Sequence, residues 1–192
     1  MADSNSHWDE HEVASNLFEQ GKYEEALTRY LVLAEAGSTT AQVFVGWMYH
    51  EGRGIRKDLD EAQRWYSKAA DAGSPVGQFY LGMLYWIEKK YRKAFEWLEK
   101  SASQGYSPAI YRLGTFYDLG EGGNLDKDKA YRCYEQAAEM GHLAAQKEMA
   151  VSMIKGYRGL LRIPQGVFMF ARSLCKALTL AGSDPDSDRI RW

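Results

Sequence analysis

The chain repeats itself, and a repeat constrains a fold more tightly than any single residue can. Aligned on a glycine, three segments recur: GSTTAQVFVGWMYHEGRGIRKDLDEAQRWYSKAADA, GSPVGQFYLGMLYWIEKKYRKAFEWLEKSASQ and GYSPAIYRLGTFYDLGEGGNLDKDKAYRCYEQAAEM. The anchoring glycines Gly37, Gly73, Gly105, Gly141 and Gly182 stand 36, 32, 36 and 41 residues apart. A period in this range marks a solenoid, in which each unit is one helix pair that cannot bury its apolar face alone. Arrays of this kind usually bind other molecules along an extended surface, so the repeat points to an interaction module.

Within each unit the first helix carries small residues and a tyrosine, as in Ala41, Gly46 and Tyr49. The second carries Ala62, Trp65, Tyr66, Ala69 and Ala70, whose spacing places them on one apolar stripe. Ala94, Trp97, Leu98, Ser101 and Ala102 return at the same places, then Ala130, Cys133, Tyr134, Ala137 and Ala138. Gly46, Gly82, Gly114 and Ala150 are small where paired helices must approach. Glycine there costs up to about 1 kcal/mol of helix propensity relative to alanine, which close packing would offset. Asp58 lies three residues before Glu61, a capping-box-like start, and Asp126 occupies the matching place. Ser74-Pro75 and Ser107-Pro108 read as helix starts. The anchoring glycines suit the left-handed position after a helix end.

The boundaries that follow are a disordered lead at 1–7, a helix pair at 8–36, repeats at 37–72, 73–104 and 105–140, an atypical last repeat at 141–182 and a polar tail at 183–192. The 8–36 pair closes on a short GKY turn. In the last repeat Met153 replaces the tyrosine and YRGLLRIPQG lengthens the loop. Atypical terminal units are expected as caps of an array. The expected fold is all-α, about five antiparallel helix pairs.

The motif AxxxxGxxYxxGxGxxxDxxxAxxWYxxAAxxG runs through Ala41, Gly46, Tyr49, Gly52, Gly54, Asp58, Ala62, Trp65, Tyr66, Ala69, Ala70 and Gly73. On these residues the chain resembles the Sel-one-like repeats of the tetratricopeptide-like superfamily, over roughly residues 8–182. The resemblance implies a right-handed α-solenoid that acts as a protein-interaction scaffold; the sequence shows no G-x-S-x-G elbow, phosphate-binding glycine loop or CxxC, so neither catalysis nor a cofactor is expected. Some family members carry a disulfide in each repeat; this chain lacks the paired cysteines. The second repeat also lacks the glycine loop, since WIEKKYRKA joins its helices directly, so a tighter turn is expected there.

The first helices carry another stripe, away from the Ala/Gly/Tyr packing face: Thr40, Val43, Trp47 and His50, then Val76, Phe79, Met83 and Trp86, then Pro108, Tyr111, Thr115 and Asp118. Each set shares one helical face. By the resemblance this stripe lines a concave groove. Val43, Trp47, His50, Phe79, Met83, Trp86 and Tyr111 are the candidate residues for a protein or peptide partner, because aromatics beside a methionine suit an extended or helical peptide. The alternative is that curvature, or the N-terminal helix, buries the stripe as core. A different reading is a self-associating module, a homodimer joined through the apolar final helix that carries Val167, Phe168, Phe170, Leu174 and Leu178.

Other classes of function fit less well. Net charge is −2 with basic and acidic residues interspersed, unlike the concentrated positive field of a phosphate-backbone binder, so nucleic acid is not an expected partner. The segment GVFMFARSLCKALTLAG is too short for a membrane span and carries Arg172 and Lys176. The start MADSNSHWDEHE shows no basic-then-apolar leader, so a cytoplasmic protein is expected. Cys133 and Cys175 read as buried free thiols. His7-Trp-Asp-Glu10-His11 matches H-x-x-E-H, in which two histidines one turn apart hold zinc. No third ligand is identifiable, so His7 and His11 are at most an adventitious metal pair and no metal is expected. Gly52-Arg-Gly54 and Gly120-Glu-Gly122-Gly123 fall where helix–helix turns belong and read as turns, not phosphate loops.

Overall fold

The structure, a computed structural model, describes residues 6–123, 125–154, 165–169 and 171–172. Among the described residues the regular structure is entirely helical. The chain divides into two compact units, Met1–Tyr106 and Ser107–Trp192. The first holds α1 (Ser6–Glu19), α2 (Tyr23–Glu35), α3 (Thr39–Glu51), α4 (Leu59–Asp71), α5 (Pro75–Ile87) and α6 (Tyr91–Ser103). The second holds α7 (Ser107–Leu119), a single 3-10 turn (Glu121–Gly123), α8 (Lys127–Glu139) and α9 (Leu143–Ile154). Within each unit every helix packs on the next, the short connections making neighbours antiparallel.

The repeat boundary is a hydrogen-bonded device built from a few residues. After α4 the Gly73 N–H donates to the Ala70 carbonyl (3.0 Å) and the Ser74 N–H to the Ala69 carbonyl (2.9 Å), a Schellman ending. That ending needs a left-handed residue, and Gly73 supplies it at φ +87°. Ser74 then turns from last residue of one motif into cap of the next, its Oγ accepting from the Gly77 N–H at 3.2 Å. Four residues on, the Gln78 amide reaches back to donate to the Ala70 carbonyl. The same sequence of bonds joins α2 to α3 through Gly37, Ser38 and Gln42. It joins α8 to α9 through Gly141, His142 and Gln146. After α6, Tyr106 and Ile110 stand where the cap and the glutamine stand elsewhere, and the division into units falls here. Ser107, expected as a cap, is the first residue of α7.

The packing faces match the sequence periodicity. Ala62, Trp65, Tyr66, Ala69 and Ala70 are all buried on α4. Aromatic stacks link successive units of the array: Tyr30 lies parallel to Phe44 at 4.9 Å, and Tyr66 to Tyr80 at 5.0 Å. Gly46 admits the Tyr66 ring; a Cβ there would lie 2.7 Å from Cε1. Gly54 approaches the start of α2 so closely that its Cβ would lie 2.5 Å from the Tyr23 backbone. Cys133 is a half-buried free thiol, raised above the usual thiol pKa by burial, while Cys175 lies outside the described residues.

Candidate functional site

The stripe is set by α3 and α5, whose opposite flanks are committed to the core. On α3, Ala41, Val45, Gly46 and Met48 are buried, which turns Trp47 and His50 to the other side. On α5, Gly77, Leu81, Gly82 and Leu84 do the same for Phe79, Met83 and Trp86. Trp47, His50, Phe79, Met83 and Trp86 are each partly buried. Neither core nor fully open, they are held in place while offering part of their surface.

Val43 is the exception. It is only 6% exposed and belongs to the core around Ala62, Tyr66 and Leu81. The correction has a simple cause: a β-branched residue one turn from the α3 N-terminus is covered once the next helix pair stacks on it. Trp47 sits between two core clusters, one around Tyr30 and Met48 and one around Tyr66 and Leu81, packed against both. Its ring receives Phe18 of α1 edge-on at 5.6 Å. Helix α1 therefore covers part of Trp47, whereas the alternative reading had the whole stripe buried as core. Phe79 is edge-on to Tyr80 at 5.5 Å and to Tyr106 at 5.4 Å. Burial lowers the His50 pKa below the usual histidine value, opposed by Glu51 and assisted by Lys57.

Charge is scarce on these two helices. Glu51, at the C-terminal end of α3, is the one formally charged residue of α3 and α5 at neutral pH. The second helices are charged along their outer sides instead, with Lys68 over the Trp65 ring at 3.8 Å and Lys100 over Trp97 at 3.9 Å. Tyr111 belongs to the second unit, where it stacks on His142 at 4.6 Å and leans on Tyr134 at 5.7 Å. Periodicity missed His142 and Phe18 as neighbours of the stripe. His142 was legible in principle, because it follows Gly141 where Ser38 follows Gly37.

The self-association residues fall at the edge of what is described. Val167 and Phe168 are 53% and 69% exposed, and Phe170 and Leu174 lie outside the described residues. Of the H-x-x-E-H string, His11 hydrogen-bonds through Nε2 to Ser38 Oγ at 2.8 Å, steadying the cap of α3. The His7 side chain lies outside the described residues. Among the described residues no three His, Cys, Asp or Glu side chains gather as a metal site. No described helix is long and apolar enough to cross a membrane.

The family model of the Sel1 repeat matches residues 39–74, 75–106 and 107–142, more than half of the chain. The chain belongs to the Sel1-repeat family. Its fold is similar to that of a Sel1 repeat protein from Oxalobacter formigenes, with 33% identity and a TM-score of 0.78 over 85% of this chain and 69% of that one. It is also similar to c5321, a protective antigen of uropathogenic Escherichia coli with the same repeat fold, with 26% identity and a TM-score of 0.79 over 88% of this chain and 38% of that one. A curated relative is chitin synthase regulatory factor 2 of Schizosaccharomyces pombe, 28% identical over 46% of this chain. The Sel1-repeat chain spans 18% of that protein's length.

Proposed function

We propose that this Sel1-repeat chain is a non-catalytic scaffold that binds a partner peptide or protein along the stripe of its first helices. One observation carries the reading: Trp47, Phe79, Met83 and Trp86 remain partly exposed on α3 and α5 although each helix buries its opposite flank. Large apolar rings left at a surface, beside an adaptable thioether, suit an apolar or helical ligand. Family membership supports the same reading, since solenoids of helix pairs typically act as interaction scaffolds. Val43 is not part of the proposed surface.

A peptide library selected against the full chain tests it. Trp47→Ala with Trp86→Ala should weaken the selected peptides by about thirtyfold or more, on the order of 2 kcal/mol or more for such interface centres, at unchanged helical content. Unaltered affinity would overturn the reading. A second reading, self-association, rests on the exposure of Val167 and Phe168. Light scattering on the chain and on Phe168→Ser separates the two: a dimer lost in the variant favours self-association.

A further inference from the structure

Three junctions carry a side-chain cap at the same repeat position, yet only one of those caps can be switched off by a proton. Ser38 Oγ accepts from the Ala41 N–H at 3.3 Å, and Ser74 Oγ from the Gly77 N–H at 3.2 Å. At α9 the acceptor is a ring nitrogen: His142 Nδ1 takes the Ala145 N–H at 3.2 Å. A backbone N–H can be accepted only by an unprotonated nitrogen, so the imidazole is neutral with its proton on Nε2.

We propose that His142 is an acid-sensitive cap, whose protonation releases the first turn of α9. The protonated ring would turn a donor against the donor it now accepts. It would also set a positive charge at the positive end of the α9 dipole. The ring is partly buried and stacked on Tyr111 at 4.6 Å, so the charge would be poorly hydrated. Attraction of an imidazolium to the Tyr111 face acts the other way, but on one face only. Ionisable groups on the elements around His142 include Tyr111 and Arg112 on α7, Tyr134 and Glu139 on α8, and Lys147 and Glu148 on α9, with Glu148 and Arg112 near enough to act on Tyr111. Burial is what lowers the His142 pKa below its ordinary value.

The sign follows from that direction. A histidine whose folded pKa is depressed binds more protons unfolded than folded. It contributes stability that is present above its unfolded pKa, near 6.5, and lost as pH falls from there through the folded value. Serine in the same place would cap without titrating. The inference rests on the Ala145 hydrogen bond and the Tyr111 stack, and stands or falls independently of the partner-binding reading.

Proton NMR and hydrogen exchange on the full chain test it. The His142 Hε1 resonance, assigned by its disappearance in His142→Ser, should titrate with a midpoint below that of unstructured histidine. Between about pH 7.5 and about pH 5.5 the protection factor of the Ala145 amide should fall severalfold in the wild type, with about tenfold as the ceiling that an unfolded pKa near 6.5 allows. In His142→Ser it should hold, and in His50→Gln it should fall as in the wild type. His142→Asn supplies a second non-titrating cap should the serine variant fold poorly. A midpoint at or above the unstructured value, or equal loss of protection in the serine and asparagine variants, overturns the proposal.

Discussion

The first and second repeats of the Met1–Tyr106 unit reach one architecture by different local means. In the first, α3 ends on Gly52 at φ +74°, a glycine loop follows, and Asp58 caps α4 by accepting from the Asp60 and Glu61 N–H groups at 3.0 Å. In the second, α5 and α6 are joined by Glu88, Lys89 and Lys90, with no side-chain cap on α6. The helix contact differs as well. Gly46 faces the buried Tyr66 ring, itself stacked on Tyr80, whereas Gly82 faces the Leu98 side chain. The motif thus specifies where helices start and cross, and the chemistry at each place is interchangeable.

The strongest way to break this comparison is at the glycines. A Cβ at Gly46 would lie 2.7 and 2.8 Å from two atoms of a ring that stacking and burial hold still. Gly46→Ala should therefore destabilise by about 1–3 kcal/mol of overpacking, less the propensity gained. A Cβ at Gly82 meets the buried Leu98 side chain at 3.0 Å, a looser approach than the 2.7 Å at Gly46. Gly82→Ala should be close to neutral, because up to about 1 kcal/mol of helix propensity offsets the shift of Leu98. Gly82→Leu has no such escape and should lose about 1–3 kcal/mol. Thermal melts of the three variants decide it; equal losses for the two alanines would mean that the facing side chains do not matter.

The caps give a smaller contrast. Asp58→Ala removes an acceptor serving two N–H groups and should cost about 1 kcal/mol. Lys90→Ala, at the matching position before α6, removes no cap and should change stability by less than about 0.5 kcal/mol. Chemical denaturation of both variants checks the difference, and comparable losses would show that the α4 cap is redundant.

Much of this was legible in the sequence because the repeat averages over noise. Gly37, Gly73 and Asp58 each recur at fixed offsets, so a helix end or start could be read from several copies at once. What the repeat does not encode is how neighbouring units cover one another. Val43 and Trp47 share a face by periodicity, yet stacking of the next pair takes Val43 into the core while Trp47, met by Phe18 of α1 in a T-shaped contact, stays partly exposed. Helical spacing fixes direction around one axis, and burial depends on which helix arrives there. The hydrogen bond from Gln78 to the Ala70 carbonyl was missed for a related reason: it joins a side chain to a helix end eight residues back, outside any amphipathic pattern.

The smallest effect tests the short turn itself. Lys89 has φ +60°, the one non-glycine residue with positive φ among the described residues. It stands in the left-handed place of a Schellman ending, where the Lys89 N–H donates to the Trp86 carbonyl (2.9 Å) and the Lys90 N–H to the Tyr85 carbonyl (2.8 Å). Gly21 holds the matching place between α1 and α2, its N–H donating to the Phe18 carbonyl and the Lys22 N–H to the Leu17 carbonyl. A side chain in that conformation costs about 1–2 kcal/mol, whereas glycine adopts it freely but loses more backbone entropy on folding, roughly 0.5–1 kcal/mol. The difference leaves Lys89→Gly stabilising by about 0.5–1 kcal/mol, with Gly21→Lys destabilising by a similar amount. The Lys90–Glu88 ion pair at 2.8 Å is exposed and should not change the sign. Urea denaturation of both variants measures it: a Lys89→Gly chain less stable than the parent would mean that the lysine is held there by a compensating contact, and that the two short turns are not equivalent.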